Sequence, residues 1–346
     1  MLYATTRSSL ETFTAGRVLK EWKAPDGGMF VPITLPQLMP WELRKFADQS
    51  SADVVAGILN LFFGGKLTGK EIEFAVGRDF FFTKEMPYKL TVCELWRNPD
   101  GDVDRLVRQL AQVISGTRFP FEPGEWTHIA VRIALLTAVM AQMLKNGRMN
   151  IGTGVDVAVA AGDPTTLMAA WYTRRMGLPV HRIVASCNSN GLFWDLIYRG
   201  QIRCGGLLQK TCTPRYDTHY FDTMERLIYA CCGRVEANRF AAACQKRSGY
   251  FVSTDQRRHL ETGLSVFVTG NSRVERTIPN VYGSFSYILD PYSALVFCSI
   301  TDYRAETGAH DPVVMLCGSS PMRSADTVSA AMGITEDELR AKLNQK

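Results

Sequence analysis

Residues 155–187 read VDVAVAAGDPTTLMAAWYTRRMGLPVHRIVASC: an apolar run, a turn, a helical stretch and a second apolar run. Val155–Ala161 has the continuous apolar character of a strand buried on both faces, and His181–Cys187 repeats it. Between them Asp163 offers an N-cap oxygen, and Pro164 suits the first helical position, where its missing N–H costs nothing. Gly177 and Pro179 then close the helix. Strand, helix and strand within about thirty residues make a βαβ unit, so the sheet is at least partly parallel. The predicted class is α/β, doubly wound in type.

Working outward, Trp41–Phe63 has helical spacing with a break at Gly64-Gly65, and Tyr88–Trp96 reads as a strand. Asp102–Ile114 puts Val103, Leu106, Val107, Leu110 and Val113 on one helical face. Ile129–Leu144 is apolar, short for a bilayer span, and carries Arg132, so a core helix is predicted. Downstream, Ser293–Ile300 and Pro312–Leu316 read as buried strands, as does Phe80-Phe81-Phe82. Thr335–Leu343 reads as a helix with Glu338 completing a capping box.

At 346 residues, with 46% hydrophobic and 21% charged residues, the chain has a globular composition. Its 39 basic and 34 acidic residues leave a net charge of +5 with no basic stripe, which excludes a nucleic-acid partner. The nine cysteines lack metal-ligand spacing and the five histidines are dispersed, so no metal site is expected. No apolar leader opens the sequence, and the expected setting is cytoplasmic, without a membrane partner.

The landmarks arrive in the order of a known family. Met1–Arg7 (MLYATTR), Lys23–Pro32 (KAPDGGMFVP), Phe221–Tyr229, Asp290–Ala294 and Val313–Pro321 resemble segments of threonine synthase, a pyridoxal-phosphate (PLP) enzyme of fold type II. The second of these is similar to the family's "APDGGLFVP" and is the most specific. The resemblance covers nearly the whole chain. It implies a fold type II scaffold and, for an active member, a Schiff-base lysine, a phosphate loop and elimination chemistry on O-phosphohomoserine.

Four features of that implied site are altered. Glu94–Pro99 aligns with the start of the family's "ELFHGPTLAFKD", and continuing without a gap puts Asp104 at the lysine, where no imine can form. The phosphate loop becomes Gly162-Asp163-Pro164-Thr165-Thr166, with a carboxylate where an anion would bind and a proline lacking an N–H. Gly318, beside Ser319, stands where the family has a threonine for the pyridine nitrogen, and no stretch resembles the "TSGDTG" substrate loop. Ser115-Gly116-Thr117 is the nearest remnant.

The resulting expectation is a threonine-synthase-like domain at 1–86, followed by a large α/β domain at 87–346 whose small domain is largely deleted. No PLP is expected. The vestigial pocket would comprise Arg97, Asp104, Gly162, Asp163, Thr165, Thr166, Asn188, Gly318 and Ser319, holding a small anionic or amino-acid ligand. Self-association or a protein partner would cover the exposed surface. The alternative is an active PLP enzyme with Lys84 or Lys89 displaced into the lysine's role. PLP-independent acid–base chemistry through Asp104, Asp163 and Arg97 is a third reading.

Overall fold

The structure, a computed structural model, describes residues 1–8, 10–96, 100–117 and 121–344, so Arg97 lies outside the described residues. Strands β1 (Leu2–Thr5), β2 (Phe13–Thr14) and β3 (Phe30–Pro32) form a small antiparallel sheet. Its register sets Tyr3 opposite Pro32 and Thr5 opposite Phe30, so the two N-terminal segments that carry the resemblance pair with each other. The turn between β2 and β3 tightens on Gly27, at φ 74°, whose N–H donates to the Ala24 carbonyl at 2.8 Å.

The remaining strands are β4 (Phe82–Met86), β5 (Leu90–Glu94), β6 (Val155–Ala160), β7 (Val180–Cys187), β8 (Gln201–Arg203), β9 (Gly249–Phe251), β10 (Leu264–Val268) and β11 (Val313–Cys317). Six of them form the central sheet in the order β10-β7-β6-β11-β5-β4, parallel throughout except for the antiparallel edge pair β4–β5. The helices used below are α1 (Ser51–Phe63), α2 (Val103–Ser115), α3 (Glu125–Lys145), α4 (Pro164–Arg175), α5 (Met224–Cys232), α6 (Asn271–Phe285) and α7 (Pro291–Thr307).

Alternation along the strands divides the core. Val155, Val157 and Val159 of β6 join the layer of α1, α3 and α4, while Ala158 and Ala160 face the layer of α6 and α7. Both faces are covered, which is why these strands read as continuous apolar runs. The βαβ unit stands as predicted, with Asp163 capping α4 through the Thr166 N–H at 3.1 Å. Tyr3 donates to the Phe62 carbonyl and accepts from Trp126 Nε1, so the N-terminal sheet, α1 and α3 share one core.

Three readings need correction. Ser293–Ile300 is not a strand but the middle of α7, which Asp290 caps and Pro291 opens. This helix lies against β6, β7, β10 and β11 and is buried nearly all round, so it shows no amphipathic period. Of Phe80-Phe81-Phe82, only Phe82 belongs to a strand, and its side chain is exposed. Finally, α3 has 21 residues and is long and apolar enough to cross a membrane, yet 83% of its apolar window is buried inside the protein.

Candidate functional site

A cleft of about 970 Å³ opens at the carboxyl ends of the central strands, where parallel α/β sheets place ligands. Its floor is built from Ala160 at the end of β6, Gly162–Thr166 at the start of α4, Leu316 near the end of β11, and Gly318 and Ser319 just after it. Asp102 and Asp104 enter from the first turn of α2, and Glu125, His128 and Arg132 from one face of α3. The 204–223 segment covers the opposite side with Arg215, Tyr216 and His219.

The polar groups of the floor form one chain. Arg132, almost fully buried on α3, donates through Nη2 to Asp104 at 3.0 Å and through Nε to Thr166 Oγ1 at 3.0 Å. Thr166 in turn donates to Asp163 Oδ2 at 2.6 Å, and Thr165 Oγ1 donates to Asp163 Oδ1 at 2.7 Å. His128, one helical turn before Arg132, places Nδ1 3.5 Å from Asp104. The His128 hydrogen bond holds the Asp104 carboxyl well below the usual carboxylate range, and Arg132 adds to the effect against partial desolvation. Asp104 is thus a fixed anion, held through Oδ1 by Arg132 and His128, and ill suited to general acid–base work near neutral pH.

Behind this chain lies a second ion pair. Arg226 of α5 and Glu125 of α3, both buried, meet at 2.5 Å, and Arg226 Nε donates to the Phe30 carbonyl at 2.8 Å. Glu125 Oε1 and Arg226 Nη2 lack hydrogen-bond partners. Desolvation pushes the Glu125 carboxyl up despite the guanidinium.

Tyr216 decides the shape of the phosphate-loop region. A Cβ built on Gly162 would lie 2.0 Å from Tyr216 Cγ, so the phenol ring rests on the loop backbone, and only glycine fits beneath it. Tyr216 also packs edge-on against Tyr292, with ring centroids 4.7 Å apart, and Arg215 sits over the Tyr292 ring. Burial raises the Tyr216 phenol well above its ordinary range.

Of the residues nominated from the sequence, the cleft gathers Asp104, Gly162, Asp163, Thr165, Thr166, Gly318 and Ser319. Asn188 does not line it. Its amide donates to Thr211, Thr213 and Asp217, holding the segment that carries Tyr216. Lys84 donates to the Phe285 and Ser286 carbonyls, and Lys89 lies beyond the amino end of β5, so neither lines the cleft. Ser115 and Thr117 bond each other around Gly116, which ends α2 at φ 61°. In the sequence Arg132 is one charge in an apolar helix and Tyr216 belongs to no motif, because their partners are distant in the chain.

Residues 2–80 match the family described as "Threonine synthase N terminus". Among curated relatives, threonine synthase of Corynebacterium glutamicum is 24% identical over 52% of this chain and 38% of its own length. That of Pseudomonas aeruginosa is 26% identical over 59% of this chain and 44% of its own. Mouse threonine synthase-like 1 is 21% identical, with 61% and 28% covered. The matched region is therefore under half the length of each of these relatives. Among solved structures, yeast threonine synthase superposes with a TM-score of 0.84 at 16% identity, covering 99% of this chain and 94% of that one. PLP-bound threonine synthase from Brucella melitensis gives 0.76 at 17%, with 99% of each covered. The N-terminal segment of this chain thus matches that of the threonine synthases, and over nearly its whole length the chain shares their α/β fold.

Proposed function

We propose that this protein is a threonine-synthase-like pseudoenzyme that runs no PLP chemistry, and that its cleft binds a small amino-acid-like ligand. One observation carries the reading: at the position aligned with the Schiff-base lysine, Asp104 is ion-paired to the buried Arg132, and the chain closes through Thr166 onto Asp163.

The cleft does not fit PLP. Among the described residues, no lysine lines it to supply an amine. The Asp163 carboxylate occupies the helix N-terminus a phosphate would use, Pro164 contributes no N–H, and the Tyr216 ring covers Gly162. Lys84 and Lys89, the displaced candidates, stand outside the cleft, which weighs against an active enzyme. The rest of the cleft lining carries both signs of charge, with Arg215 and Arg247 as cations and Asp217 and Asp222 as anions, the latter already bonded to neighbours. That mixture suits a zwitterion better than a dianion.

The test is the absorption spectrum of the purified protein with added PLP, followed by borohydride and peptide mapping. The expected result is no saturable aldimine band and no fixed adduct at one lysine. A stoichiometric adduct on a single mapped lysine would overturn the proposal.

A further inference from the structure

At the amino end of the central sheet, opposite the cleft, lies a second pocket of about 610 Å³. Its walls are apolar: Met86 and Leu90 from the β4–β5 hairpin, Phe285 from the end of α6, and Phe297 and Ile300 from α7. Its rim carries two cations, Lys89 and Arg304, with the His310 ring beside them, and among the described residues no acidic side chain lines it. A cavity of this size with apolar walls and a few convergent polar groups is the usual form of a small-molecule site.

The hairpin at its edge is strained. Tyr88 and Lys89 both adopt left-handed backbone, at φ 60° and 56°, where asparagine and glycine are the favoured residues. Arg304 holds that turn, donating through Nη2 to the Tyr88 carbonyl at 2.6 Å. Its other contact there is the Asp311 carbonyl at 3.5 Å, again a neutral acceptor rather than a carboxylate. Desolvation lowers the Arg304 pKa, as expected for a cation half removed from water without a full counter-charge. The uncommon turn keeps a lysine at the mouth of an apolar pocket, and the half-buried Arg304 beside it has no carboxylate in hydrogen-bond contact among the described residues, Asp156 acting on it only through its charge.

We propose that this pocket binds an amphipathic carboxylate, an unbranched chain of roughly eight to ten carbons with its head at Lys89, Arg304 and His310 and its tail between Phe285 and Phe297. The apolar walls supply the affinity, and the one-signed rim selects the anion. This site is independent of the ligand proposed for the cleft.

The experiment is calorimetric titration of the full chain with octanoate, with 1-octanol as the matched neutral probe. Two variants at exposed positions accompany it: Lys89→Glu reverses a rim charge, and Thr301→Trp fills the mouth from α7. Octanoate is expected to bind at one site at least tenfold more tightly than octanol. Lys89→Glu should weaken octanoate at least tenfold while leaving octanol unchanged, and Thr301→Trp should abolish both with unaltered melting behaviour. No octanoate binding at millimolar concentration, equal binding of the two probes, or binding indifferent to both variants would overturn the proposal.

Discussion

The two ends of the central sheet solve the same problem in opposite ways. At the carboxyl end Asp104 pairs with Arg132 and Glu125 with Arg226, while Asp163 is held by the Thr165 and Thr166 hydroxyls, so the charges there are engaged inside the protein. At the amino end, the cations Lys89 and Arg304, with His310 beside them, border an apolar pocket that has no acid in its lining among the described residues. The first end has its charges committed to holding the fold. The second keeps cations that the fold does not neutralise there. Substitutions should therefore separate the two ends by what they damage, stability at the cleft and binding at the pocket.

The largest effect is expected at the buried pair. Arg226→Met leaves Glu125 charged and unpartnered in the core, and a loss of about 3–5 kcal/mol is expected in urea unfolding. The double variant Glu125→Leu with Arg226→Met should recover most of that loss, because the desolvation penalty goes with the charges. A neutral single variant would break the contrast between the ends. Next comes Arg132→Met, which strands Asp104 and removes the donor to Thr166. About 2 kcal/mol is expected by the same measurement, in the range of a charge-assisted hydrogen bond to a buried cation.

How much of this the sequence discloses depends on the range of the interaction. Asp163-Pro164 and Asp290-Pro291 carry the same local start signal, yet only the first yields a helix on reading. After Asp163 the composition is mixed, whereas after Asp290 a helix buried among four strands presents an apolar run that passes for a strand. In the N-terminal sheet the two segments are legible by their resemblance to a known family, and Met29–Val31 as a short strand, but not the fact that Tyr3 and Pro32 pair. In the cleft, Asp104 emerged from alignment with a family motif. Its partner Arg132 lies 28 positions away, and Tyr216 reaches Gly162 from another loop, so no spacing rule announces either contact. Local chemistry writes caps and turns into a sequence, while sites assembled across the sheet are written only in the fold.

Two substitutions at Asp104 sharpen the cleft side. Asp104→Lys supplies an amine, but Asp163 still caps the α4 N-terminus, Tyr216 still covers Gly162, and Arg132 now faces a like charge. No PLP aldimine band is expected, and a band reducible to an adduct on the new lysine would show that the cleft retains a cofactor cup. Asp104→Asn tests the ion pair by pH. The native carboxyl titrates below its unfolded value, so its contribution is present above about pH 4 and fades as pH falls further. The stability gap between native protein and variant should be constant near neutrality, about 1 kcal/mol for so exposed a carboxylate, and should narrow below pH 4. A gap that widens in acid would mean that Asp104 is not the stabilised anion.

The smallest effect belongs to the other end. Lys89→Gln removes a rim cation from an exposed position with no carboxylate beside it in the pocket lining, so stability should change by no more than about 0.5 kcal/mol. The variant keeps a long side chain and leaves the Arg304 bond to the Tyr88 carbonyl in place, so the turn should persist. A variant as stable as the native protein but weaker for octanoate would place the lysine in ligand recognition. If instead Lys89→Gln cost as much as Arg132→Met, Lys89 would be a structural cation like those of the cleft, and the two ends of the sheet would no longer differ in kind.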